Sequence, residues 1–303
     1  MIVVHADWGT HPRKRWIARA RSLGPGWAVE AVEPWTLGAS PLECLGLDEE
    51  EPGPILIGLD FPVGLPLAYA RAAEIRAFGD ALLGFGGPGW EKFYAVARTP
   101  AEISLRRPFY PHAPGGTLRR HLEDGLGIPM AQVSRECERA TATRPAACPL
   151  FWTLGASQVG KGAIAGWQEV VVPLVREGAA LWPFDGELAD LLRTRRVTIA
   201  ETYPAEYYGP LGFGRGWSKR RQADRRDRAR QITRAAAALG AVVPPAIATA
   251  VDDGFGPRPD GEDAFDTLVG LLGMLTALAG DATAPSDPAI RSVEGWILGQ
   301  VPA

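Results

Sequence analysis

Polar and apolar positions set out the first sixty residues clearly. Met1 to Ala6 form a short apolar run that stops at Asp7. After the Gly9-Thr10-His11-Pro12 turn, Lys14 to Arg21 alternate as a strand with one polar face. A second turn, Gly24-Pro25-Gly26, leads into Trp27 to Glu33, which reads the same way. Three strands joined by two tight turns predict an antiparallel meander. Ser40-Pro41 followed by Leu42 to Glu50 predicts a capped helix with proline at its first position. Ile55 to Leu59 have no polar alternation, the signature of a strand buried on both faces, and they end at Asp60.

The following stretch, 61–196, mixes helical pieces (Ala68 to Phe78, Leu118 to Leu126, and a run near Trp167 to Glu177) with loops such as Gly84 to Gly89. It shows no linker or composition break and reads as a long insertion between the fourth and fifth strands. Val197 to Ala200 predict that fifth strand, ending at Glu201. A strongly charged helix is expected from about Ser218 to Leu239, and a last helix from about Glu262 to Ala279. Because both ends of the chain carry strand or helix signals of one sheet, residues 1–303 are expected to form one α/β domain.

Three apolar strands therefore each end in an acid: Asp7, Asp60 and Glu201. The carboxyl ends of parallel strands are where α/β sheets bind ligands. Asp263 and Asp266 are spaced i, i+3 and so share one face of the last helix, whose other residues are apolar. An acid turned inwards there is costly unless it meets a cation. Carboxylates converging at one sheet end repel one another and need a metal ion or protonation. Hard oxygen donors favour Mg²⁺ or Mn²⁺ over zinc, and two such ions about 4 Å apart suit phosphodiester hydrolysis.

Composition changes this picture little: 46% hydrophobic and 22% charged residues describe an ordinary globular chain. The net charge of −3 excludes a globally basic nucleic-acid binder, but it conceals a local excess. Between Arg215 and Arg234 nine basic residues stand against two acids, among them Lys219, Arg220, Arg221 and Arg225. A smaller basic zone at Arg13, Lys14, Arg15, Arg19 and Arg21 flanks Asp7. Both zones suit a polyanionic substrate. Gly155-Ala-Ser-Gln-Val-Gly-Lys-Gly162 fails as a phosphate loop, which needs Ser or Thr after the lysine, yet it could present Ser157, Gln158 and Lys161 to the site. Cys44, Cys137 and Cys148 are an odd set without a CxxC pair and read as free thiols. With no charged leader before an apolar stretch and no run of about 18 apolar residues, a cytoplasmic, membrane-free location is expected.

The order of strands and acids resembles the ribonuclease H-like fold: a mixed sheet of three antiparallel strands, then parallel strands, flanked by helices. Local motifs resemble one branch of it, the predicted nucleases grouped as domain of unknown function 429. They are His5-Ala-Asp-Trp-Gly, Gly58-Leu-Asp-Phe-Pro-Val-Gly-Leu-Pro66, Glu201-Thr-Tyr-Pro-Ala-Glu206, Ser218-Lys-Arg and Asp263-Ala-Phe-Asp-Thr-Leu268, spread over nearly the whole chain. The resemblance implies Asp7, Asp60, Glu201 and Asp266 as metal ligands, with Asp263 alternate or additional, and Lys219 near the scissile phosphate. It implies a Mg²⁺- or Mn²⁺-dependent nuclease acting on nucleic acid. His5 stands where small residues are common, and Tyr203 where histidine is frequent. Two other functions compete: an ATP-dependent phosphotransferase of the actin/sugar-kinase type using the Asp7-Trp-Gly-Thr10 loop, and a non-catalytic nucleic-acid-binding module.

Overall fold

A computed structural model describes residues 1–36, 38, 40–48, 50–142, 144–154, 159–280 and 282–302. The strands β1 (Ile2–Asp7), β2 (Trp16–Leu23) and β3 (Gly26–Pro34) form an antiparallel meander. β2 starts two residues later than the alternation predicts. Pro12–Lys14 close into a 3-10 turn instead, with the Arg15 amide donating to the Pro12 carbonyl at 3.1 Å. The first helix is shorter than expected, Pro41–Cys44, with the Ser40 hydroxyl accepting from the Glu43 amide as its cap.

β4 (Ile55–Leu59) pairs parallel with β1 and is buried along its whole length. The insertion contains an element that periodicity missed: β5 (Ala180–Trp182), a three-residue edge strand parallel to β6 (Val197–Glu201). At the other edge β7 (Ala241–Val242) adds parallel to β3. Strands this short carry too few positions for alternation to register. The result is one seven-stranded mixed sheet in the order β5-β6-β4-β1-β2-β3-β7, flanked by helices. The charged segment after Ser218 is not one helix but two, Gln222–Arg226 and Ala229–Ala238.

Each face of the sheet carries its own core. The side chains of Val4, Ala6, Ile57 and Leu59 pack into the insertion. Val3, Leu56 and Ala200 pack against the long helix Asp260–Ala279 on the opposite face. That helix crosses β1 and β2 and is buried on nearly every side. His5 is a core residue of this face. A Cβ at Gly270 would lie 2.1 Å from His5 Nε2, so the helix accommodates the imidazole only because a glycine stands opposite. Burial drops the His5 pKa to about 3, so the ring is neutral. The chain's end returns to the same strand ends: the Leu298 amide donates to the Glu201 carbonyl at 2.8 Å. Cys44, Cys137 and Cys148 are free, and no helix among the described residues is long and apolar enough to cross a membrane.

Candidate active site

The carboxyl ends of β1, β4 and β6 open into a cavity of about 820 Å³. Its walls come from the loop after β1, the insertion, the segment after β6, and the first turns of the long helix. Seven acids line it (Asp7, Asp60, Glu138, Glu201, Glu262, Asp263 and Asp266) against three lysines and arginines, Lys14, Arg135 and Lys219, and one histidine, His11. The structure therefore brings all five sequence-predicted carboxylates and Lys219 to one place. It divides them, however, into two kinds.

Register makes the division. Ala6 pairs with Leu59 and Leu59 with Glu201, so Glu201 lies level with the residues that precede Asp7 and Asp60. In a strand a one-residue offset reverses the face to which a side chain points. Glu201 accordingly faces the insertion, whereas Asp7 and Asp60 face the long helix, two positions beyond His5 and Gly58. The residue that follows β6, Thr202, lies level with Asp60, and its amide donates to the Leu59 carbonyl at 2.9 Å.

Asp7 and Asp60 stand side by side at the ends of the paired strands β1 and β4, the Asp60 amide donating to the Ala6 carbonyl at 3.0 Å, and among the described residues no ion pair joins a cation to either carboxylate. Burial is the main reason the Asp60 pKa rises to about 7, with Asp266 and Glu201 adding to it and Lys219 opposing. Burial and the Asp60 charge push Asp7 well above the carboxylate range too. The pair thus holds a proton that a bound cation would displace. Asp263, half-buried on the first turn of the long helix, is raised to about 6 by burial and by Glu262 beside it.

Asp266 is different. One carboxylate oxygen accepts from the Tyr208 hydroxyl and the other from Lys219 Nζ. Burial works against the Lys219 charge, but Asp266, Asp7 and Asp60 outweigh it, so the lysine pKa is raised and the ammonium is permanent. Lys219 also lies 3.8 Å from Glu262.

Glu201 departs furthest from expectation. Both its oxygens are held at 2.6 Å by the two terminal nitrogens of Arg135, and Oε2 also accepts from the Val63 amide at 2.6 Å. The fully buried Arg135 further donates to Glu138 at 2.9 Å and to the Glu294 carbonyl at 3.0 Å. Glu201 is therefore the carboxylate of a buried ion pair and not an open ligand. Arg135 carried no sequence signal; it sits in a loop-rich stretch without periodicity.

Two expected substrate-binding arginines also have other work. Arg15 is fully buried, donates from Nε to the Gly9 carbonyl at 2.9 Å, pairs with Glu169 and stacks 4.0 Å from the Trp8 ring centroid. It braces the loop after Asp7 and is closed to substrate. Arg225 spends its guanidinium on three carbonyls, Gly254, Lys219 and Gly256, at 2.7, 2.5 and 2.6 Å. It fixes the loop that carries Lys219. Arg19 and Arg21 are paired with Glu30, which removes most of the basic zone beside Asp7. Arg13 remains exposed, as do Arg220 and Arg221 near Lys219. Lys161 is half-buried outside the cavity lining and donates to the His112 carbonyl at 3.3 Å. Gly155, Ser157 and Gln158 lie outside the described residues.

Among the described residues, no three His, Cys, Asp or Glu side chains form an arrangement that would hold a metal ion. The donor set does fit the sparser demand of a hard cation: Mg²⁺ commonly takes one or two carboxylates and completes its shell with water and substrate phosphate. Asp7 and Asp60 offer those two, with Asp263 beside them. Comparison of the chain with family models, curated proteins and solved structures returned no match.

Proposed function

We propose that the protein is a divalent-cation-dependent phosphodiester hydrolase, a nuclease on a ribonuclease H-like scaffold. The observation that carries this reading is the excess of seven acids over three lysine and arginine side chains around one cavity, with no cation among the described residues ion-paired to Asp7 or Asp60. An anionic ester cannot enter such a field unaided, and a cation would both cancel the repulsion and displace the shared proton. The meander followed by parallel strands, with acids at the ends of β1, β4 and β6, is the arrangement that the resemblance implies.

In this reading Asp7 and Asp60 would hold Mg²⁺ or Mn²⁺, with Asp263 lining the same cavity. The cation would polarise the phosphate and lower the pKa of an attacking water. Lys219, held by Asp266, brings a fixed positive charge to the same cavity and offsets charge gathering on phosphate oxygens. Arg13, Lys14, Arg220 and Arg221 on the rim receive the flanking phosphates of a nucleic acid. The phosphotransferase alternative would require a second nucleotide-binding lobe, and the strands of the described residues make a single sheet.

The test is cleavage of single- and double-stranded DNA, RNA and hybrids with Mg²⁺ or Mn²⁺, comparing the wild type with Asp60→Asn. Cleavage should require the cation. Loss of a group beyond the metal's own ligands costs ~10–100-fold, so loss of a ligand should cost at least ~100-fold. Cleavage untouched by the substitution would remove the site, and ATP consumption with an acceptor would favour the phosphotransferase.

A further inference from the structure

Glu201 ends a strand beside Asp60 and by position alone would complete a two-metal centre, yet Arg135 already grips both of its oxygens. We infer that Arg135 is a built-in cation that replaces one metal ion, so that the cavity takes a single divalent cation on Asp7 and Asp60. This rests on the cation reading above and concerns how many ions that cavity accepts.

Three observations carry it. First, the β4–β6 register turns Glu201 to the insertion face, away from the side on which Asp7 and Asp60 meet the long helix. Second, the Glu201 carboxylate is filled: Arg135 occupies Oε1 and Oε2, and the Val63 amide also donates to Oε2, each at 2.6 Å. The other inward acid, Asp266, is closed in the same way by Lys219 and Tyr208. A second metal would have to evict the buried Arg135 guanidinium or the Lys219 ammonium paired with Asp266 to find its ligands. Third, Arg135 is not free to leave. It is fully buried and also donates to Glu138 and to the Glu294 carbonyl, joining the insertion, the end of β6 and the C-terminal segment. A guanidinium stays protonated at any working pH, and a buried pair broken on one side leaves an uncompensated charge. Its positive charge beside Glu201 also repels a second divalent ion.

The experiment is a Mn²⁺ titration of the full chain by calorimetry and electron paramagnetic resonance, alone and with excess phosphorothioate-linked oligonucleotide. The variants are Glu201→Gln and Asp60→Asn. One ion per chain is expected in both conditions, with the spectrum of an isolated Mn²⁺. Glu201→Gln should hold that ion within about threefold of the wild-type affinity, whereas Asp60→Asn should lose at least ~30-fold, within the range for disturbed metal sites. Two ions per chain, a spin-coupled pair, or a loss in Glu201→Gln equal to that in Asp60→Asn would overturn the inference and leave the cation reading standing. A wild type that binds no Mn²⁺ would overturn both. The stoichiometry and the spectrum need no variant, so they decide the question even if Glu201→Gln fails to fold.

Discussion

The two faces of the strand ends treat their acids in opposite ways. On the helix face Asp7 and Asp60 lie against one another with no cation fixed to them, and burial lifts both pKa values. On the insertion face Glu201 is locked to the fully buried Arg135 in an ion pair. Both arrangements concentrate carboxylates at the end of the same sheet, yet one stores an unmet demand for positive charge and the other has satisfied it internally. In the proposed function the unmet demand is where a cation binds, whereas the satisfied one ties the insertion to the end of β6 and the C-terminal segment.

Breaking the satisfied side should have the largest effect. Arg135→Met removes the guanidinium while Glu201 and Glu138 stay buried. Losing one partner of a buried pair typically costs about 3–5 kcal/mol. The urea midpoint should fall accordingly, and Glu201→Gln should move it in the same direction by less, because the amide still accepts from Arg135.

The open side should respond with the opposite sign. Asp60 has a pKa of about 7 in the folded chain against an ordinary 3.8. Between those values the folded state binds more protons than the unfolded chain, so the contribution of Asp60 to stability is greatest below about pH 4. It should fall as the pH rises through about 7 and level off above. Asp7 is raised by the same burial and deepens the fall. Thermal unfolding without divalent ions should show a lower midpoint at pH 8 than at pH 5. Asp60→Asn should flatten that slope and melt higher than the wild type at pH 8, although the proposed function expects the same substitution to impair cleavage. Mg²⁺ should stabilise the wild type more at pH 8 than at pH 5, where protons compete for the same oxygens. A pH-independent midpoint in the wild type would contradict the shared proton.

These contrasts also show where sequence reasoning could reach. The meander, the buried strand β4 and the long helix follow from alternation and apolar runs, and the acids at the strand ends could be named from position alone. What separates Asp60 from Glu201 is a one-residue register offset between β4 and β6. No local pattern encodes pairing across the intervening residues 60–196. Arg135 was invisible for a related reason: its role depends on where a loop of irregular backbone comes to rest, and loops carry no periodicity. Arginine content was misleading in the same sense. Arg15 and Arg225 share composition and neighbourhood with exposed arginines, and only burial distinguishes a brace from a contact surface.

That last distinction yields the smallest expected effect and the finest version of the comparison. Arg220 and Arg221 are 68% and 63% exposed, and their pairings to Glu262 and Asp224 are surface ion pairs worth little. Arg225 lies four residues beyond Arg221 but is bound to three carbonyls. Replacing Arg220 and Arg221 together with glutamine should leave the melting temperature within a degree or so, since exposed substitutions usually stay within about 0.5 kcal/mol. Affinity for a single-stranded oligonucleotide should weaken, with the slope of log affinity against log salt shallower by about 1–1.5, because each lost phosphate contact releases fewer counterions. Arg225→Gln should behave in reverse. It would take the donor from three carbonyls, the Gly254 one buried and the other two part-buried, and lower the melting temperature, while the salt slope of the folded fraction stays as in the wild type. If Arg225→Gln shallowed the slope as much as the rim pair, the division between bracing and contacting arginines would fail, and with it the assignment of the rim as the polyanion surface.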